Sequence, residues 1–79
     1  MSELRFLRLD QVAEVLNISA SQAYVLVRSG DLPAIKIGGR GQWRVEAVAL
    51  EEYIQRMYED TRRFVAEHPL NGEEPPPDD

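Results

Sequence analysis

Apolar residues recur along this chain with three different periods, and each period predicts an element. From Leu9 to Leu16, the positions Leu9, Val12, Ala13, Val15 and Leu16 fall at helical spacing with Asp10, Gln11 and Glu14 turned away. Arg8 stands where a capping Ser, Thr or Asp is usual, so this start is weakly marked, although Asp10 and Glu14 suit the positive end of the helix dipole. Asn17 tolerates the left-handed conformation and can reverse the chain. Only Asn17, Ile18 and Ser19 separate this pattern from the next, the spacing of a helix-turn-helix.

The second helix has the clearer start. Ser19 and Gln22 have capping-box spacing, and Ile18 and Ala23 occupy the positions of a weak hydrophobic staple. Ala23, Leu26 and Val27 form the inward stripe, which leaves Ser21, Gln22, Tyr24, Val25 and Arg28 to look outward. Gly30 ends the helix without a Cβ clash, and Pro33 forbids a restart. Beyond it the period changes to two. Ile35 and Ile37 face one way and Lys36 the other; Trp43 and Val45 face one way and Gln42 and Arg44 the other. With Gly38-Gly39-Arg40-Gly41 between them, these runs predict a half-buried two-stranded wing with Arg40 at its tip. Trp43 reads as a core or hinge residue because it shares a face with Val45.

A third helix is expected from Glu46 or Ala47 to Glu67, stopped by His68-Pro69. Its seam, Ala47, Leu50, Ile54, Met57, Thr61, Phe64 and His68, alternates steps of three and four. Glu52 with Arg56, and Glu59 with Arg63, have the acid-first order that supports a helix. From about Tyr58 onward the helix is longer than so small a core needs. Phe64 and Val65 there require cover, from Phe6 and Leu7 or from a second protomer. Residues 1 to 5 are expected to be loose, with Phe6 and Leu7 leading into the core. The domain therefore spans 1–68, and 69–79, PLNGEEPPPDD, is expected to be a disordered acidic tail.

The net charge of −5 looks unfavourable for binding nucleic acid until its distribution is considered. From Glu67 onward there are five acids and no base, and the remainder balances nine acids against nine bases. Between Ala20 and Val45 the bases Arg28, Lys36, Arg40 and Arg44 face a single acid, Asp31. A locally basic surface on a neutral body is compatible with phosphate. Eight of the nine bases are arginine, which suits bidentate phosphate and guanine contacts. With 79 residues the core is modest, and the absence of cysteine excludes disulfides and thiolate metal sites. No apolar run approaches the roughly 20 residues of a membrane span, and MSELRFLRLD is not a signal peptide, so the cytoplasm is expected.

No catalytic constellation is present. His68 is the only histidine, Glu51 and Glu52 point in different directions on a helix, and GGRG is neither a phosphate loop nor a dinucleotide fingerprint. No enzyme activity, metal or cofactor is expected. The chemistry that remains is recognition. On the second helix, glutamine can read adenine bidentately, serine can pair with several base edges, and a valine methyl can meet a thymine methyl. Tyr24 and Arg28 can hold phosphates, and an arginine wing tip can enter a minor groove.

The residues LDQVAEVLNISASQAYVLVRSGDLPAIKIGGRGQWRVEAVALEEYI resemble small excisionase-type, MerR-like winged helix-turn-helix domains of bacteria and phages, among them the BldC-like regulators of actinobacteria. The resemblance covers about Phe6 to Met57 and is carried by the VAEVLNIS turn, the RSGDLPAIKIG junction and the QWRV strand. It implies a mainly α fold with a small β-hairpin, and sequence-specific binding of double-stranded DNA with the second helix in the major groove. Ser21, Gln22, Tyr24 and Arg28 then lie on the helix, and Lys36, Arg40, Gln42 and Arg44 on the wing. Ala20 and Val25 stand where relatives often carry a base, which implies a homodimer or cooperative multimer on DNA through the third helix. MerR regulators proper carry a long dimerisation helix and an effector domain; only the helix has a counterpart in these residues, so no small-molecule effector is expected. A transcriptional regulator is the leading expectation. A recombination directionality factor is its near variant, and a protein-interaction adaptor using the third helix is the reading from another class.

Overall fold

Asn17 turns the chain between the first two helices with φ 57° and ψ 48°, the left-handed geometry expected of it. The computed structural model describes residues 5–70. Its order is β1 (Phe6–Leu7), α1 (Leu9–Leu16), α2 (Ala20–Ser29), β2 (Ile35–Ile37), β3 (Gln42–Glu46) and α3 (Ala47–Glu67). The two short helices pack on each other, and Val12, Ala13, Ala23 and Val27 supply their buried contact. Val15, expected on the inward stripe, is instead exposed: it lies about 200° around the helix from the buried Ala13, while Leu16 still packs against the core.

Gln11 explains how α1 starts without a conventional cap. Its side-chain oxygen accepts the Arg8 backbone N–H at 2.9 Å, half of a capping box. The Arg8 side chain has no acceptor with which to complete the other half. At α2 both halves form: Ser19 Oγ accepts the Gln22 N–H at 3.1 Å, and Gln22 Oε1 accepts the Ser19 N–H at 3.0 Å. Gly30 closes α2 at φ 88°.

The sheet has three strands rather than two. β1 joins the hairpin in the order β1-β3-β2, with Phe6 opposite Glu46 and Leu7 opposite Val45. Arg5, expected to be loose, is tied down: its backbone oxygen accepts the Ala47 N–H at 2.7 Å and its guanidinium meets the Glu46 carboxylate at 3.0 Å. The alternation of Phe6 and Leu7 is real, but only Leu7 turns toward the core; Phe6 stays partly exposed.

The core gathers under β3. Val45 and Leu32 are fully buried, with Leu50 and Tyr53 of α3 beside them. Leu32 is held by its N–H donating to the Leu26 oxygen at 3.1 Å, and Arg56 donates to the Asp31 oxygen, so α3 is pinned to the α2–β2 junction. Arg56 therefore does not pair with Glu52 as expected. Further along, Arg62 meets Glu59 at 3.2 Å and Arg63 meets Asp60 at 2.6 Å, replacing the expected Glu59–Arg63 pair by two pairs one residue closer. From Tyr58 to Leu70 every residue is exposed, so the overhang exists and does not fold back on Phe6 and Leu7. The architecture is a winged helix-turn-helix. The tail expected from Pro69 onward lies, from residue 71, outside the described residues, as do residues 1–4.

Candidate nucleic-acid interface

The outward face of α2 is centred on a ridge that helical spacing dictates. Opposite the buried pair Ala23 and Val27 lie Ser21, Val25 and Arg28, at steps of four and three. Tyr24 flanks the ridge on one side and Gln22 on the other, and all five are exposed. Tyr24 and Arg28, one turn apart, work as a unit: the guanidinium carbon sits 5.9 Å from the ring centroid and Nη1 donates to the Tyr24 hydroxyl at 3.4 Å. The cation is held beside the helix yet keeps donors for a phosphate.

Gln22 is less free than its exposure implies. Its Oε1 accepts from both the Ser19 backbone N–H and the Ser19 hydroxyl, the latter at 3.3 Å. The adenine contact expected of it needs that same oxygen as acceptor. Cap and bidentate adenine readout therefore compete for one atom, and only the Nε2 donors remain for another molecule.

On the wing, the strand register decides where each side chain points. Ile35 pairs with Arg44, Lys36 with Trp43, and Ile37 with Gln42. Directly opposed residues in an antiparallel pair share a face. Arg44 and Gln42 thus lie with Ile35 and Ile37 on the outer face, while Lys36 lies with Trp43 and Val45 on the inner one. The isoleucines are about half exposed, at 48% and 45%, instead of forming the buried face of the hairpin. The four-residue turn Gly38–Gly41 sets this register, and β1, α1 and α3 already fill the space under Val45. Lys36 Nζ stands 5.7 Å from the Trp43 ring centroid, and Arg44 Nη1 donates to the Trp43 oxygen at 2.8 Å. Arg40 is exposed at the tip between Gly39 and Gly41. The wing's cations therefore do not share one face. They occupy its two faces and its tip.

The pairing of charges separates this region from the rest of the surface. Arg5, Arg8, Arg62 and Arg63 each meet a carboxylate, and Arg56 meets the Asp31 carbonyl. The Arg8 hydrogen bond holds the Asp10 carboxyl below its ordinary value, so that pair stays ionised and mutually compensated. Arg28, Lys36, Arg40 and Arg44 have no carboxylate partner among the described residues. These are the four bases of the stretch from Ala20 to Val45, and they leave an uncompensated positive field on α2 and the wing.

Among the described residues no group of His, Cys, Asp and Glu has the arrangement to hold a metal ion, and no helix is long and apolar enough to cross a membrane. The residues expected from the sequence, Ser21, Gln22, Tyr24, Arg28, Lys36, Arg40, Gln42 and Arg44, all lie on α2 and the wing. Val25, 60% exposed, lies mid-ridge among them. Helical angle alone, measured from Ala23 and Val27, places it there. Residues 6–58 match a family model described as a helix-turn-helix domain. No curated protein and no solved structure matches the chain.

Proposed function

This chain belongs to the helix-turn-helix domain family, whose members bind double-stranded DNA, and from that premise we propose that it recognises specific DNA sequences and regulates transcription from the cytoplasm. It resembles the excisionase-type and MerR-like members of that class. Helix α2 enters the major groove with Ser21, Gln22 and Val25 toward base edges and Tyr24 with Arg28 on phosphate. The wing meets the groove edge-on: Arg40 at the tip reaches the minor groove or backbone, and Lys36, Gln42 and Arg44 serve its two sides. Binding on DNA involves more than one copy, through the exposed stripe of α3 that continues past Met57 to Phe64 and Val65. The observation that carries the reading is the set of four bases, on two consecutive elements, that no carboxylate compensates.

Selection of binding sites from a random duplex pool tests it. Recovery of a recurrent motif is the expected result, and a pool no different from the input would rule out sequence-specific readout. A recombination directionality factor would use the same contacts and also bend its site. Migration of circularly permuted fragments separates the two roles, because only a bent site changes mobility with its position in the fragment.

A further inference from the structure

We infer that Gln22 and Val25 together read thymine, and that the thymine 5-methyl group is the element this helix selects for. The inference rests on α2 entering the major groove, as proposed above, and adds what it reads there. Gln22 Oε1 is the only acceptor of that side chain, and it takes two hydrogen bonds from Ser19, at 3.0 Å from the backbone N–H and 3.3 Å from the hydroxyl. Rotating the amide would put a donor against the Ser19 backbone N–H and lose that half of the capping box, so the box favours this orientation. Ser19 Oγ in turn accepts the Gln22 backbone N–H at 3.1 Å, which locks the ring from the other side. Gln22 therefore presents donors only.

A donor-only group discriminates among base edges in the major groove. Cytosine offers only an amino donor, which an NH2 group with no accessible acceptor does not match; adenine can accept at N7, but its neighbouring amino donor is left unpaired and it carries no methyl group for Val25. Guanine and thymine offer acceptors, and Val25 separates those two. Gln22 and Val25 are three residues apart on the exposed face, so their side chains are neighbours. Val25 is 60% exposed and has no polar atom to offer. Thymine alone carries a methyl group beside its O4 acceptor. Gln22 Nε2 donates to O4 while the Val25 methyls cover the 5-methyl group. Guanine would satisfy the donor but leave Val25 against a bare edge.

The test uses the full chain and duplexes carrying a site recovered by selection. Each thymine of the motif is replaced in turn by deoxyuridine, which keeps O4 and removes only the methyl. At one thymine the replacement is expected to weaken wild-type binding by about fourfold, the effect of one buried methyl group. Val25→Ala should bind the thymine and deoxyuridine duplexes equally at that position. Gln22→Glu keeps an acceptor for the Ser19 N–H but turns an acceptor toward the groove, so preference at the same position should move from thymine to cytosine by roughly tenfold. A selected motif without thymine, equal binding of every deoxyuridine duplex by the wild type, or an unchanged preference in Gln22→Glu would each overturn the assignment while leaving DNA binding intact. Failure to bind any duplex would remove this inference and the proposed function together.

Discussion

The Lys36 side chain lies across the face of Gly41: a Cβ built on that glycine would stand 2.9 Å from Lys36 Cε and 3.3 Å from Nζ. Gly41 also has φ 70°, a conformation that costs an L side chain about 1 kcal/mol or more. The glycine thus does two things at once. It lets the turn close, with its N–H donating to the Gly38 oxygen at 3.4 Å, and it leaves room for the wing's inner cation to lie over Trp43.

Gly41→Ala should therefore lower stability and displace Lys36, whereas Gly39→Ala should be nearly neutral. Gly39 has no positive φ, and an added Cβ there meets nothing within 4 Å. Thermal unfolding of the two variants checks this. Equal losses would mean that the turn, not the Lys36 contact or the backbone angle, sets the requirement.

Ser19→Ala should destabilise the domain by about 1 kcal/mol, because it strips the Gln22 N–H of its acceptor and frees the Gln22 amide. In a domain of this size that corresponds to a fall in Tm of roughly 4–8 °C. Ser19→Asp should retain most of the stability, since a carboxylate caps equally well and suits the helix dipole. A Ser19→Ala protein that melts with the wild type would show that the cap contributes nothing, and the fixed amide orientation of Gln22 would lose its basis.

Much of this molecule was legible from periodicity. The bounds of α1, the Ser19–Gln22 cap, the left-handed Asn17, the stop at Gly30 and the full length of α3 all follow from local spacing, because each depends on residues within one turn of one another. What was hidden depended on residues far apart in sequence. β1 is two residues long, too short to show a period, and exists only because β3 offers an edge to it. The face of Lys36 was set by the register of Gly38–Gly41, which alternation within each strand does not fix. Tyr53 and Leu32 reach the core through the crossing of α3 over the α2–β2 junction, which no local pattern records.

Leu32 makes that last point testable. It sits between Asp31 and Pro33 in what reads as a polar turn, yet it is fully buried. Leu32→Ala should cost about 2–5 kcal/mol, enough to unfold much of so small a domain at 37 °C. Circular dichroism with urea titration measures it. A loss below about 1 kcal/mol would mean that the junction repacks around the cavity and does not depend on Leu32.

An exposed arginine at a glycine-flanked tip, with no carboxylate partner among the described residues, has no evident part in stability, so Arg40→Ala should leave the melting temperature unchanged. Its effect should fall entirely on DNA. If three or four of Arg28, Lys36, Arg40 and Arg44 meet phosphates, the logarithm of affinity should fall with the logarithm of salt at a slope near −3 per copy. Arg40→Ala should reduce the magnitude of that slope by about 0.9 and weaken specific and unrelated duplexes by the same factor, because phosphate carries no sequence information. Fluorescence anisotropy across a salt series gives slope and affinity together. A variant that loses affinity for its selected site alone would move Arg40 from the backbone to a base edge, and a variant with the wild-type slope would take the wing tip off the DNA altogether.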